Sequence, residues 1–306
     1  MRAPTGDQYT LTRQTPNGRA EAVITELAAS LRTLRIGGVN LTHPYPESVP
    51  TPAGSGIVLV PWPNRVEGGV WELDGKKLQL DLTEPSRSNA IHGLLRNTAY
   101  RLVDRDEGSV TLGATIFPQH GYPFLLETTV RYELTDDGIA VTHQIRNDSA
   151  TAAPVAIGAH PYFAIGDTPT ADLTVTVRAA SRFVVSERLI PTGEVPVDGT
   201  EQDLRSGARV GDLDIDQAYS DLAPVDGSSA SLTAPDGRTV SLWQDESFPY
   251  LQVFVTHVYP EAGQKVLAVA MEPMTAPANA LASGRTLRWV EPGESFSATW
   301  GIRATL

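Results

Sequence analysis

Short extended segments broken by glycine-centred turns run along nearly the whole chain and leave little room for any architecture but sheet. Val70-Trp71-Glu72-Leu73 and Lys76-Lys77-Leu78-Gln79-Leu80 flank Asp74-Gly75, the dipeptide a tight two-residue hairpin asks for. Residues 109–117, 125–134 and 139–147 read as three further strands, with Asp137-Gly138 turning the last two. Segments 173–177, 182–185, 231–234, 239–243, 251–257 and 266–271 continue the pattern, and 296–302 closes it. So many strands, with few helical periodicities, predict an all-β fold: a large antiparallel β-sandwich with few short helices. Residues 26–35 also suit a helix by their apolar spacing, but Gly37-Gly38 followed by Val39-Asn40-Leu41 favours a hairpin, and strand is the reading taken.

A length of 306 residues fits one all-β unit, and a single domain over 1–306 is expected. The linker-like stretches 44–55 and 191–203 show no break in composition that would split it. The net charge of −12, from 24 Lys+Arg against 36 Asp+Glu, argues against a nucleic-acid partner, which calls for clustered basic residues. With no cysteine there is neither disulfide nor thiolate chemistry. The N-terminal residues lack an apolar signal core, and no run approaches 18 apolar residues, so neither secretion nor a membrane span is expected. Cytoplasmic location, a small-molecule partner and a monomer or homodimer are the resulting expectations.

Three segments carry candidate chemistry. In Gly158-Ala159-His160-Pro161-Tyr162-Phe163 the proline pushes His160 toward an extended conformation at a strand end. Asn89-Ala90-Ile91-His92-Gly93 supplies a second histidine, after the turn-like stretch Glu84-Pro85-Ser86-Arg87-Ser88. Ala268-Val269-Ala270-Met271-Glu272-Pro273 sets an acid at the end of an apolar strand, where burial should raise its pKa. His143 shares a face with Val141 and Ile145 and reads as a hydrogen-bonded core residue, and the remaining histidines form no metal-ligand pattern.

These segments, with Asn64-Arg65 in Val60-Pro61-Trp62-Pro63-Asn64-Arg65-Val66 and the run Glu272-Pro273-Met274-Thr275-Ala276-Pro277-Ala278-Asn279-Ala280-Leu281, resemble the aldose 1-epimerase (galactose mutarotase) family from about Gly38 to Trp300. The resemblance implies an oversized β-sandwich that carries a sugar site in an open groove on one concave sheet. It implies anomerisation of a free, galactose- or glucose-like aldose, with Glu272 as base on the O1 hydroxyl and His160 as acid on the ring oxygen. Arg65, His92, Asp216 and Gln252 match its substrate-binding positions, although Asp212 and Asp214 leave the register of the aspartate open. Pro61-Trp62-Pro63 replaces a Gly-Arg-containing stretch usual in the family, a pattern that looks like a bacterial subgroup. The chemistry calls for no cofactor and no metal, only a carboxylate and a histidine on opposite sides of C1–O5, with His160 held protonated by a neighbouring carboxylate or by the substrate.

Other functions remain open on the sequence. Glu272 and Asp216 could form the carboxylate pair of a glycoside hydrolase. A non-catalytic carbohydrate-binding module would keep Arg65 and Asp216. A mutarotase of a 6-phospho or 6-sulfo sugar would need further arginines in the groove, for which Arg87, Arg96 and Arg285 are candidates.

Overall fold

The computed structural model describes residues 2–306; Met1 lies outside the described residues. Two large antiparallel sheets dominate it. One has nine strands in the order 101–105, 109–116, 126–134, 138–147, 295–305, 239–244, 228–233, 174–177 and 208–209. The other runs 191–196, 179–185, 216–222, 250–261, 264–274, 158–159 and 58–59, with 162–163 pairing off this path onto 264–274. A four-stranded sheet over 8–15, 18–25, 31–36 and 39–40 packs against the same core.

The local chemistry behind these elements is plain. Asp74 and Gly75 both take positive φ, the geometry of a primed hairpin turn between Val70–Leu73 and Lys76–Gln79. Gly37 and Gly38 do the same between Leu31–Ile36 and Val39–Asn40, so the ambiguous 26–35 segment is strand from Leu31 onward. One reading needs correcting. Residues 191–203 are not all linker, because Pro191–Pro196 forms the edge strand of the second sheet. Prolines at both ends disguise it, yet an edge is where a strand tolerates missing N–H donors.

The core lies between the two sheets, built from one face of every strand. Leu251, Val253 and Val255 enter it with Val269 and Met271, opposite Val130, Val141, Leu242 and Trp300. His143 is fully buried there and accepts a 2.9 Å hydrogen bond from the Trp300 indole, as a core histidine should. Because side chains alternate along a strand, Tyr250, Gln252 and Phe254 must point away from this core, as must Ala270 and Glu272. That opposite face carries the candidate residues Gln252 and Glu272.

A short zipper of irregular chain borders this face. The Val60 carbonyl accepts from Leu94 at 2.8 Å, and the Asn64 carbonyl from His92 at 2.9 Å. Gly93, with φ of 70°, sits so close that an added Cβ would lie 1.9 Å from the Val60 oxygen. We expect Gly93→Ala to cost roughly 2–4 kcal/mol, through both the clash and the left-handed backbone. Thermal unfolding checks this; an unchanged Tm would mean that the two segments can part freely.

Candidate active site

All six residues singled out from the sequence meet on the outward face of the second sheet, around the long pair Tyr250–Glu261 and Gln264–Met274. Gln252 stands directly opposite Glu272 in the register of that pair, so both side chains share one face. Next along the Glu272 strand come Ala270 and Ala268, whose small side chains leave space for the rings of Tyr162 and Tyr259. Glu272 thus projects from an otherwise apolar stretch and is 3 % exposed.

His160 reaches Glu272 from the neighbouring short strand. Its backbone N–H donates to Ile57 at 3.1 Å and its carbonyl accepts from Gly56 at 2.8 Å, which fixes the residue ahead of Pro161. The imidazole Nε2 lies 3.5 Å from Glu272 Oε1, and the His160 side chain is 8 % exposed. The two groups therefore lie side by side. His92 meets the His160 ring edge-on, with centroids 5.4 Å apart. It does so from a left-handed backbone, with φ of 63°, a conformation that costs a non-glycine residue about 1–2 kcal/mol.

Beside this pair four side chains close a hydrogen-bonded ring. Asn64 Nδ2 donates to Gln252 Oε1 at 3.2 Å, and Gln252 Nε2 donates to Asp216 Oδ1 at 2.5 Å. Arg65 Nη1 completes it, at 3.5 Å from Asp216 Oδ2 and 3.4 Å from Asn64 Oδ1. Asp216 is thereby the aspartate of the site, while Asp212 belongs to a surface ion pair with Arg209. The rest of the Arg65 fork is occupied by Glu84, whose carboxylate accepts from Nε and Nη2 at 3.0–3.2 Å. Glu84 was quoted from the sequence only as part of a turn. Its signal was there, since an acid directly before a proline is the same pattern that marked Glu272.

Burial governs the charges. It pushes the Glu272 carboxyl well above the usual carboxylate range, aided by the Asp216 charge and opposed by Arg65. It also pushes His160 down to about 4, so the carboxylate neighbour alone does not hold its proton on and that part falls to the substrate. His92 is driven well below the usual histidine range by burial and then by His160, Arg65 and Arg96. At Glu84 burial acts upward, but hydrogen bonds from Arg65 and Asn89 outweigh it and hold the carboxyl low. Burial thus favours the uncharged form of both groups, a protonated carboxyl beside a neutral imidazole. Among the described residues no group of three His, Asp or Glu side chains is arranged to hold a metal ion.

The site opens beside His92 into a cavity of about 440 Å3 that Thr51, Thr83, Glu84 and Arg96 also line. Arg96 makes no ion pair among the described residues, whereas Arg87 is tied to Glu84 and Arg285 to Glu194. Trp62 is packed into the core against Tyr122, and Trp243 lies on the nine-stranded sheet under Arg303; neither faces the site.

A family model described as "Aldose 1-epimerase" matches residues 9–303. The "Uncharacterized protein YihR" of Escherichia coli K12 is 32% identical over 290 residues, spanning 93% of this chain and 90% of that protein. Galactose mutarotase of Homo sapiens is 32% identical over 163 residues, which is 51% of this chain and 46% of the human protein. Among solved structures, a putative aldose 1-epimerase from Escherichia coli K12 superposes with a TM-score of 0.81 at 18% identity, over 98% of this chain and 99% of that one. Galactose 1-epimerase from Lactobacillus acidophilus gives 0.79 at 20% identity, over 100% and 96%. At such identity these structures speak for the fold, a galactose mutarotase-like β-sandwich.

A carboxyl forced to keep its proton when folded makes stability fall as pH rises, because the unfolded chain releases that proton near the ordinary carboxylate pKa and the native state does not. Glu272→Gln removes this cost. The variant should therefore unfold at a higher Tm than the parent, with the gap widening from pH 5 to pH 8 in differential scanning fluorimetry. A constant or negative gap would show that burial of Glu272 does not control its ionisation.

Proposed function

We propose that this chain, which belongs to the aldose 1-epimerase family, interconverts the α and β anomers of a free galactose- or glucose-like aldose by opening and closing its ring. The family makes it an isomerase. The observation that carries the mechanism is the buried pair of His160 and Glu272, 3.5 Å apart on the floor of the groove. O1 and O5 are both bonded to C1, so two proton-transfer groups standing side by side can address both oxygens from one side of the sugar.

Glu272 takes the proton from O1 as His160 gives one to O5, and the C1–O5 bond breaks to leave an open aldehyde. Rotation about C1–C2 turns the other face of the carbonyl to O5, and the same transfers in reverse close the ring. One proton leaves the sugar and one arrives, so the pair holds a single proton before and after each step. Its working form has that proton on His160, reached by passing it from Glu272 without uptake from solvent. Each transfer typically contributes 10²–10⁴-fold. The Asn64–Gln252–Asp216–Arg65 ring presents oriented donors and acceptors to the sugar hydroxyls, and His92 supports the ring-oxygen side. With Asp216 tied to Arg65 and Gln252, and the nearest partner of Glu272 an imidazole, a hydrolase carboxylate pair finds little support.

A second substrate reading rests on Arg96. An unpaired guanidinium lining the cavity beside His92 would suit a sugar whose C6 carries phosphate or sulfonate.

Polarimetry tests both. Added to freshly dissolved α-glucose or α-galactose, the protein should speed the decay of optical rotation without moving its end point. kcat/KM should fall on the acid side only near pH 4, where the pair takes a second proton at His160, and on the alkaline side where it loses its one proton. An acid limb at the ordinary histidine pKa would contradict the burial argument. If the anionic sugar is the substrate, Arg96→Ala should raise KM for glucose 6-phosphate and leave that for glucose unchanged.

A further inference from the structure

Glu84 takes up Nε and one Nη2 donor of Arg65, while Nη1 is turned to Asp216 and Asn64. Glu84 is itself held. Its backbone N–H donates to the Asn89 carbonyl at 2.9 Å, and its Oε2 accepts from Asn89 Nδ2 at 3.1 Å. Asn89 is fully buried, and its amide is shared with a distant part of the chain. Nδ2 also donates to the Arg188 carbonyl at 3.0 Å, and Oδ1 accepts from Arg188 Nη2 at 3.2 Å.

Arg188 stands at the tip of the hairpin made by Ala179–Val185 and Pro191–Pro196, at the edge of the second sheet. The tip is closed by its own hydrogen bonds. Ser186 N–H donates to the Ile190 carbonyl at 2.9 Å, and the Ser186 carbonyl accepts from Leu189 N–H at 2.9 Å. From there the guanidinium reaches across to the 85–89 turn. Nε donates to the Arg87 carbonyl at 2.9 Å, Nη2 to the Ser88 carbonyl at 2.6 Å, and Nη1 to Glu67 Oε1 at 3.2 Å. Ser88 closes the short turn Pro85–Arg87 with a left-handed φ of 54°. A non-glycine residue keeps that conformation only where its surroundings impose it. The ion pair with Glu67 is half-exposed and contributes little alone. What Arg188 brings is a planar fork that spans three oxygens of one turn, which a lysine ammonium cannot do.

We propose that Arg188 is a positioning residue of the sugar site: it fixes the 85–89 turn and, through Asn89 and Glu84, holds the Arg65 guanidinium in the orientation that receives sugar hydroxyls. Its own contacts are with the turn and Glu67, not with Glu272 or His160. The inference rests on the isomerase reading for what the site binds, and it adds the edge hairpin to the machinery of that site. Arg65 meets hydroxyls alike in the ground state and the transition state, so a loosened guanidinium weakens binding and leaves the chemical step alone.

The test pairs sugar kinetics with a readout that needs no sugar. Arg188→Ala should raise KM for glucose or galactose about tenfold and leave kcat within about twofold of the parent. Arg188→Lys keeps a charge for Glu67 but loses the fork; it should show most of the same rise, and it carries the test if the alanine variant does not fold. Arg13→Ala breaks a comparable exposed pair with Asp136 away from the site and should move neither constant. In NMR, hydrogen exchange at the Arg65 Nε–H, assigned by its loss in Arg65→Lys, should quicken about tenfold in both Arg188 variants. An unchanged KM in an active enzyme, with or without a fall in kcat, or an unchanged exchange rate would overturn the role. If no sugar is turned over at all, the isomerase reading fails and exchange alone decides. Faster exchange then keeps the positioning of Arg65, and unchanged exchange removes that as well.

Discussion

The two-residue alternation of the Tyr250–Glu261 and Gln264–Met274 pair is the constraint on which the rest depends. Leu251, Val253, Val269 and Met271 are held inward by the sandwich core, and that same register sends Gln252 and Glu272 outward together. A slip of one residue would bury the amide and the carboxyl in the core and expose four apolar side chains. Stability of the sandwich and position of the proton-transfer groups are thus one specification. The neighbouring strands add to it in order: Asp216 and Ala218 on one side, His160 on the other.

Burial sets the chemistry that this register makes possible. A carboxyl and an imidazole this deep each resist their charged form, which favours the proton on the carboxyl. Such a pair can give a proton to one oxygen of C1 and take one from the other without exchanging with water. The polar ring beside it follows a different logic. Arg65, Asp216, Gln252 and Asn64 satisfy one another before any sugar arrives, and Glu84 fixes the guanidinium from behind. Hydroxyl groups entering the groove meet donors and acceptors already oriented, so little ordering is left to be done on binding.

Much of this was legible in the sequence, for identifiable reasons. Asp74-Gly75 and Gly37-Gly38 fall at hairpin turns because a primed turn needs positive φ, and that requirement is local. His160 and Glu272 were visible because each stands directly before a proline, although the Glu272 strand runs on to Met274. Pro191–Pro196 was not legible as a strand because prolines at both ends mask it, although its partner Ala179–Val185 directly precedes it in the chain. The carboxylate neighbour expected for His160 is present at 3.5 Å, while the depth of the site, a property of the whole sandwich that no local motif reports, opposes the charged imidazole. The place of Glu84 before Pro85 was visible, but its pairing with Arg65 was not, because nothing in a single sequence reports which acid a given arginine meets.

The central claim is that the buried pair exchanges protons with the two oxygens on C1. Two-dimensional NMR exchange spectroscopy on glucose already at anomeric equilibrium measures this directly, because only catalysed ring opening links the α and β H1 resonances on the mixing timescale. With the parent protein, cross-peaks should connect the two anomeric signals. With Glu272→Gln they should vanish while the sugar lines stay broadened by binding. Cross-peaks of undiminished intensity in the Glu272→Gln sample would contradict the account.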